Sequence, residues 1–214
     1  MTRHEKEIFC TLAASLLAPP DEGLLADLEQ QGLRFFLAES LDGWGERQQV
    51  LTALLGRQGP KRSLAAFQKE YHRLFGPYRG KAVSLVESTY KPWASDKKCG
   101  MLFAGSTGLV MGDPAVHLLN VYREVSLEVP EVFRSTPDHL ILEFEFLALL
   151  YRDGTPEQID RFIADHLDWI PNLREELALA RPKPFYRGAV DLIDIFVRNE
   201  QKHMKGNHGQ TTIH

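Results

Sequence analysis

Asp138, His139 and Glu143 form the densest group of chemically capable side chains in this sequence. His139 and Glu143 are four residues apart, so on a helix they share a face. An imidazole and a carboxylate at that spacing can ligate zinc or iron, or act as a general base and the group that orients it. A metal site needs a third ligand; His72, His117 and His166 are scattered, and no HExxH occurs. Glu200 and His203 have the Glu-x-x-His spacing of carboxylate-bridged di-iron bundles, but the pattern occurs once where such sites need it twice. Asp138 also stands where a helix start favours a carboxylate. A metal-dependent helical hydrolase built on Asp138, His139 and Glu143 is therefore one reading, set against capping and packing roles for the same residues. Nucleophilic chemistry has less support. There is no Gly-x-Ser-x-Gly, no phosphate loop and no dinucleotide fingerprint. Cys10 lies on an apolar face, and Cys99, though it follows Lys97 and Lys98, has no partner histidine in sight. No complete catalytic set emerges, so the expectation is a protein that is not an enzyme, with no cofactor and no resident metal.

A second group is aromatic. Tyr71, Leu74 and Phe75 are followed by Glu87, Ser88, Tyr90 and Trp93. Aromatics mixed with a carboxylate and hydroxyls suit recognition of an extended or helical peptide. Leu74 and Phe75 also fall on the apolar stripe of a helix, where core packing alone accounts for them. Tyr90 and Trp93 lie outside any stripe. From Asp138 to Glu176 there are ten acids and three strong bases, against a net charge of −4 for the whole chain. Such a region can draw in a basic ligand over distance, or simply solvate outer helix faces.

The elements that position these residues read as helices. Apolar positions from Ile8 to Leu16 form a first helix stopped by Pro19-Pro20. Arg3 and Lys6 before that run superficially resemble a secretory leader, but Glu5 and Glu7 interrupt the basic region. A second helix carries Leu24, Leu25 and Leu28 and weakens at Gly32; a third spans about Glu46 to Leu55; a fourth bears Leu64, Phe67, Tyr71, Leu74 and Phe75. Tyr78 to Gly112 lacks periodicity and holds several glycines, which predicts a long irregular connection with one short helix. Asp113-Pro114 opens the next helix. The stretch after Thr136-Pro137-Asp138, with Leu140, Ile141, Leu142, Phe144, Phe146 and Leu147, is apolar on nearly every face and predicts a central buried helix. Stripes on Ile159 to Leu167, Asn172 to Ala180 and Phe185 to Phe196 follow.

With no alternating strands and no internal repeat, the fold class is all-α, a single-domain helical bundle of nine or ten helices around a long irregular connection. The expected division is an all-helical domain over 1–204 and a disordered tail over 205–214. The 214 residues, 43% hydrophobic and 25% charged, suffice for a sizeable core without staples. The acidic balance argues against a nucleic-acid binder. No apolar run reaches the length of a membrane span, which argues against direct membrane insertion. Two cysteines fit a reducing compartment, and the expected location is cytoplasmic.

Taken in order, Tyr71-x-x-Leu74-Phe75, Glu87-Ser88-x-Tyr90, and Pro137-Asp138-His139 with Glu143 and Phe146 resemble the TorD/DmsD/NarJ family of redox-enzyme maturation chaperones. Leu16 to Pro20, His166-Leu167-x-Trp169-x-Pro171 and Phe185 to Gly188 extend the similarity to roughly residues 5 to 200. The glycine-rich loop between Tyr90 and Asp113 departs from it. The resemblance implies an all-helical cytoplasmic chaperone that binds the twin-arginine signal peptide, or the body, of an apo molybdopterin oxidoreductase catalytic subunit. It holds that client until its cofactor is inserted and deters premature export. By the same resemblance Tyr71, Leu74, Phe75, Glu87, Ser88, Tyr90, Trp93, Pro137, Asp138, His139, Glu143 and Phe146 line the peptide site, with Asp138 or Glu143 able to accept a guanidinium fork. A homodimer formed by domain swapping is compatible with it. A helical scaffold that binds a folded partner without a peptide groove is the remaining alternative.

Overall fold

Caps written into the sequence start the helices. The computed structural model describes residues 1–44, 47–56, 63–76, 82–96 and 98–208. Thr2 accepts the backbone N–H of Glu5 while the Glu5 carboxylate accepts that of Thr2, a capping box that opens α1 (Arg3–Leu17). The extended conformation of Ala18, ahead of Pro19, ends it. Asp21 caps α2 (Glu22–Glu29), and Gln30 alone separates that helix from α3 (Gln31–Trp44). There follow α4 (Arg47–Leu55), α5 (Leu64–Phe75), α6 (Asp113–Glu124), α7 (Leu140–Asp153), α8 (Pro156–His166), α9 (Ile170–Leu179) and α10 (Pro184–His208). Short 3-10 turns occupy Glu87–Thr89 and Glu131–Phe133. Among the described residues the β content is one antiparallel bridge, Val86 to His139.

The fold is all-α, as the pattern implied. The one helix without a forecast is α3. Its Gly32 lies in the first turn, with nothing within 4 Å of a Cβ there, and does not stop the chain. Leu33, Phe36, Leu37, Leu41 and Trp44 behind it supply the stripe that holds α3 to the core. The forecast of a tail from Lys205 meets a backbone that continues α10 to His208; 209–214 lie outside the described residues.

Helix α7 runs along α1 and beside α8, while α10 packs on α4, α9, α8 and α1. Phe9 of α1 and Phe196 of α10 stack at 4.3 Å, and Trp44 meets Phe9 edge-on at 5.6 Å. Burying rings of this size stabilises the bundle by about 2–3 kcal/mol each before entropy is counted. Gly188 sets the approach of α10 to α4: a Cβ there would lie 2.8 Å from the Cβ of Ala53.

The irregular connection is hydrogen-bonded rather than loose. Trp93 N–H donates to Ser106 O at 3.0 Å, Ala94 N–H to Ala104 O at 2.8 Å, and Asp113 N–H to Trp93 O at 2.8 Å. Its start is fastened to the entrance of α7. Glu87 N–H donates to Asp138 O at 3.0 Å and Leu140 N–H to Leu85 O at 2.8 Å. That fastening positions the polar cluster.

Candidate functional site: a buried acidic cluster and its aromatic margin

Glu87, Asp138 and Glu143 are all fully buried and lie together where the connection, α7 and the α8–α9 corner meet. A buried carboxylate needs donors or a proton. Asp138 Oδ2 accepts the backbone N–H of Ser88 at 2.7 Å and also its hydroxyl. Burial pushes the Asp138 carboxyl above its ordinary value, and the Ser88 hydrogen bonds pull the other way. Glu87 Oε2 lies 2.8 Å from Nδ1 of buried His166, whose Nε2 lies 2.7 Å from Nδ1 of exposed His117. With Glu87 as acceptor, His166 carries its proton on Nδ1 and accepts at Nε2 from His117. Lys91 Nζ reaches Glu87 Oε1 at 2.6 Å, off hydrogen-bond direction, and Asp168 at 2.5 Å. It donates to the Asp165 carbonyl at 2.7 Å. Burial works against the charge of Lys91, and its two carboxylates more than offset that.

Glu143 is the group that the cluster keeps protonated. Burial raises its carboxyl well above the usual range, and the charges of Glu87 and Asp138 raise it further. Its Oε2 accepts Nε1–H of Trp169 at 3.3 Å. Tyr90 stacks on Trp169 at 5.0 Å, and its hydroxyl bonds the Ser84 carbonyl at 2.9 Å and the Glu176 carboxylate. Three chain segments far apart in sequence are thus bolted by one ammonium, one indole N–H and a histidine pair.

This geometry joins some of the residues singled out in the sequence and separates others. Glu87, Ser88, Tyr90, Asp138 and Glu143 come together, with Pro137 and His139 adjoining. His139 does not converge with Glu143: its Nδ1 accepts the Ile141 N–H at 3.2 Å as the helix cap, and its ring packs on Phe133 at 4.9 Å. Burial lowers the His139 imidazole to about 4. Tyr71 and Phe75 face α10 instead, at 6.1 and 5.6 Å from Tyr186, and Leu74 is buried in the core. Trp93 meets Phe103 edge-on at 5.0 Å within the irregular connection. Phe146 packs between Tyr122 and Phe162 at 5.3 and 5.2 Å. Glu200 bonds Lys6 at 2.7 Å and the Tyr151 hydroxyl at 2.6 Å, which binds α10 to α1 and α7. Among the described residues no group of three His, Cys, Asp or Glu is arranged to hold a metal ion. Lys91 and the His117–His166 pair went unassigned in the sequence. Their separation from Glu143 along the chain leaves no spacing to find them by; the Lys91 offset of four from Glu87 was the one local clue.

Fold and site together define a helical protein whose polar centre fastens segments: each buried acid is held by a donor or a proton, and the Ser88 hydroxyl is spent on Asp138. The family model described as nitrate reductase delta subunit matches residues 37–175, well over half the chain and the whole of this cluster. The chain belongs to that family, a family of molybdoenzyme maturation chaperones. Among curated proteins none matches it. Among the described residues no helix is long and apolar enough to cross a membrane.

Proposed function

We propose that this protein is a cytoplasmic chaperone that binds the twin-arginine signal peptide, the apo form, or both, of a molybdopterin oxidoreductase. It assists cofactor insertion and delays export until the client has folded, and performs no bond chemistry itself. The observation that supports this best is that the family match spans the acidic cluster together with its aromatic margin. In the proposal the site residues divide by exposure. Leu74, Glu87, Ser88, Pro137, Asp138, Glu143 and Phe146 are buried and act from beneath by fixing the surface above them. Tyr71, Phe75, Tyr90, Trp93 and His139 retain surface and make the contacts. Asp165, Asp168 and Glu176 are exposed around Tyr90 and Lys91 and attract arginines, whose planar fork matches a carboxylate. Homodimerisation by exchange of helices belongs to the same proposal, with the 82–112 connection as hinge.

The test is fluorescence anisotropy of a labelled synthetic twin-arginine leader at low salt, beside the same peptide with both arginines replaced by glutamine. Saturable binding, weakened at least about tenfold by the replacement, supports the proposal. No binding of the parent peptide rejects it.

A further inference from the structure

The acidic cluster lies beneath one side of α7; another side of the same helix is open. Leu142, Glu145, Phe146 and Leu149 follow one another at helical spacing and floor a groove walled by Leu127 and Val129. Toward the end of α7 the groove continues past Leu149 and Leu150 to Gly154 and Gln158, where it opens to about 290 Å³. The two stretches share Leu127, Phe146 and Leu149 and so form one channel. From Leu142 to Asp153 α7 rises about 16 Å at about 1.5 Å per residue, the length of three turns of a helix.

The outer wall is held in place. Leu127 N–H donates to the Tyr122 carbonyl at 2.8 Å, and Ser126 takes a positive φ of 59° to turn the chain back after α6. This turn leaves Val125 52% and Leu127 39% exposed beside the floor. Apolar side chains presented on a fixed turn cost solvation that a partner would recover.

The rim carries the charge that selects the partner. Glu128 and Glu145 line the groove, and neither has an ion pair among the described residues. Burial holds the Glu145 carboxyl above its ordinary value, the mark of an acid on an apolar wall without a cation. Of the bases at the far end, Arg152 is already paired with Asp153 at 2.8 Å, and Arg3 donates to the carbonyls of Leu150 and Gly154. An apolar channel with unpaired acids on its rim complements one occupant: an amphipathic helical segment with an aliphatic stripe flanked by arginine or lysine.

We propose that this α7 groove is a docking surface for such a basic amphipathic segment of the client. It shares Phe146 with the residues proposed above for the peptide site and seats the apolar part of the ligand. The inference rests on the chaperone function proposed above and adds where the apolar segment lies.

The test uses the full chain and the labelled twin-arginine leader at low salt. The variants are Leu127→Asp and the double substitution Glu128→Lys with Glu145→Lys, all at positions with exposed side chains. Circular dichroism melts establish that each variant folds. A photo-crosslinking residue at Val125 reports proximity independently of affinity. The expected results are a Kd raised about tenfold or more by either variant and crosslinks from Val125 to the peptide. Wild-type affinity in both variants, with no crosslink, overturns the placement and leaves the chaperone proposal standing. No peptide binding by the wild-type protein overturns that proposal and the placement with it. A wild-type dimer that the variants convert to monomer, at unchanged peptide affinity, assigns the groove to a second copy of this chain and also overturns it.

Discussion

Glu143→Gln isolates the carboxyl proton at the heart of the cluster. The Glu143 carboxyl is raised well above an ordinary 4.5 by burial first and by Glu87 and Asp138 next. A group whose folded value exceeds its unfolded one binds more protons in the native state across the window between them. Its contribution is therefore complete below the ordinary carboxyl value and is lost as pH rises toward the folded value. The loss runs at about 1.4 kcal/mol per pH unit wherever the pH lies between the unfolded and folded values. Glutamine cannot lose that proton. Its carbonyl can accept Trp169 Nε1–H as the carboxyl does. The variant's stability relative to wild type is expected to climb as pH rises above the ordinary carboxyl value, at up to that rate. His139 acts in the opposite sense: lowered from 6.5 to about 4 by burial, it costs stability as pH falls through that range. Wild type therefore has partly cancelling slopes, and Glu143→Gln removes one of them, leaving His139 set against the raised Asp138 and Glu145 carboxyls. Urea denaturation followed by tryptophan fluorescence at pH 5, 6 and 7 reads the difference, provided m is unchanged. A pH-independent difference between the two proteins refutes the protonated assignment. So does a variant several kcal/mol less stable at pH 7.

Three other substitutions test the packing that supports the site. Asp138→Ala strands the buried N–H and hydroxyl of Ser88 and should lower stability by about 3 kcal/mol, read from the urea midpoint; a loss under about 1 kcal/mol contradicts the bolt. Lys91→Met removes the ammonium beside Glu87 and should cost about 3–5 kcal/mol, with the 82–91 segment losing amide-exchange protection first. Gly188→Val places atoms where Ala53 and Leu54 already stand and should lower Tm by several degrees through a loss of about 1–3 kcal/mol or more; an unchanged Tm means α10 does not approach α4 as described.

Helices announced themselves where periodicity and caps agreed. The stripe on Leu64 to Phe75 and the unbroken apolar run after Asp138 correspond to α5 and the buried α7. Helix α3 escaped because Gly32 was weighed as a terminator, whereas in a first turn its cost is a fraction of the burial gained by Leu37 and Leu41. At the site, Asp138 and Glu143 were legible from local spacing. The bond from Asp138 to Ser88 was not, because it depends on the connection folding back fifty residues to pair with the entrance of α7. The same holds for His166 against Glu87 and for Lys91 against Asp168. Tyr71, on a helical stripe, and Trp93, outside any stripe, were both candidates for the peptide site. The structure gives one to the α5–α10 packing and the other to the irregular connection.

The most direct test of the maturation role is calorimetric titration of this protein against the molybdenum oxidoreductase catalytic subunit of its native host, prepared without cofactor and with it. The account requires saturable binding of the cofactor-free subunit and binding at least about tenfold weaker once the cofactor is in place. Equal affinity for the two forms, or binding of the loaded form alone, contradicts it.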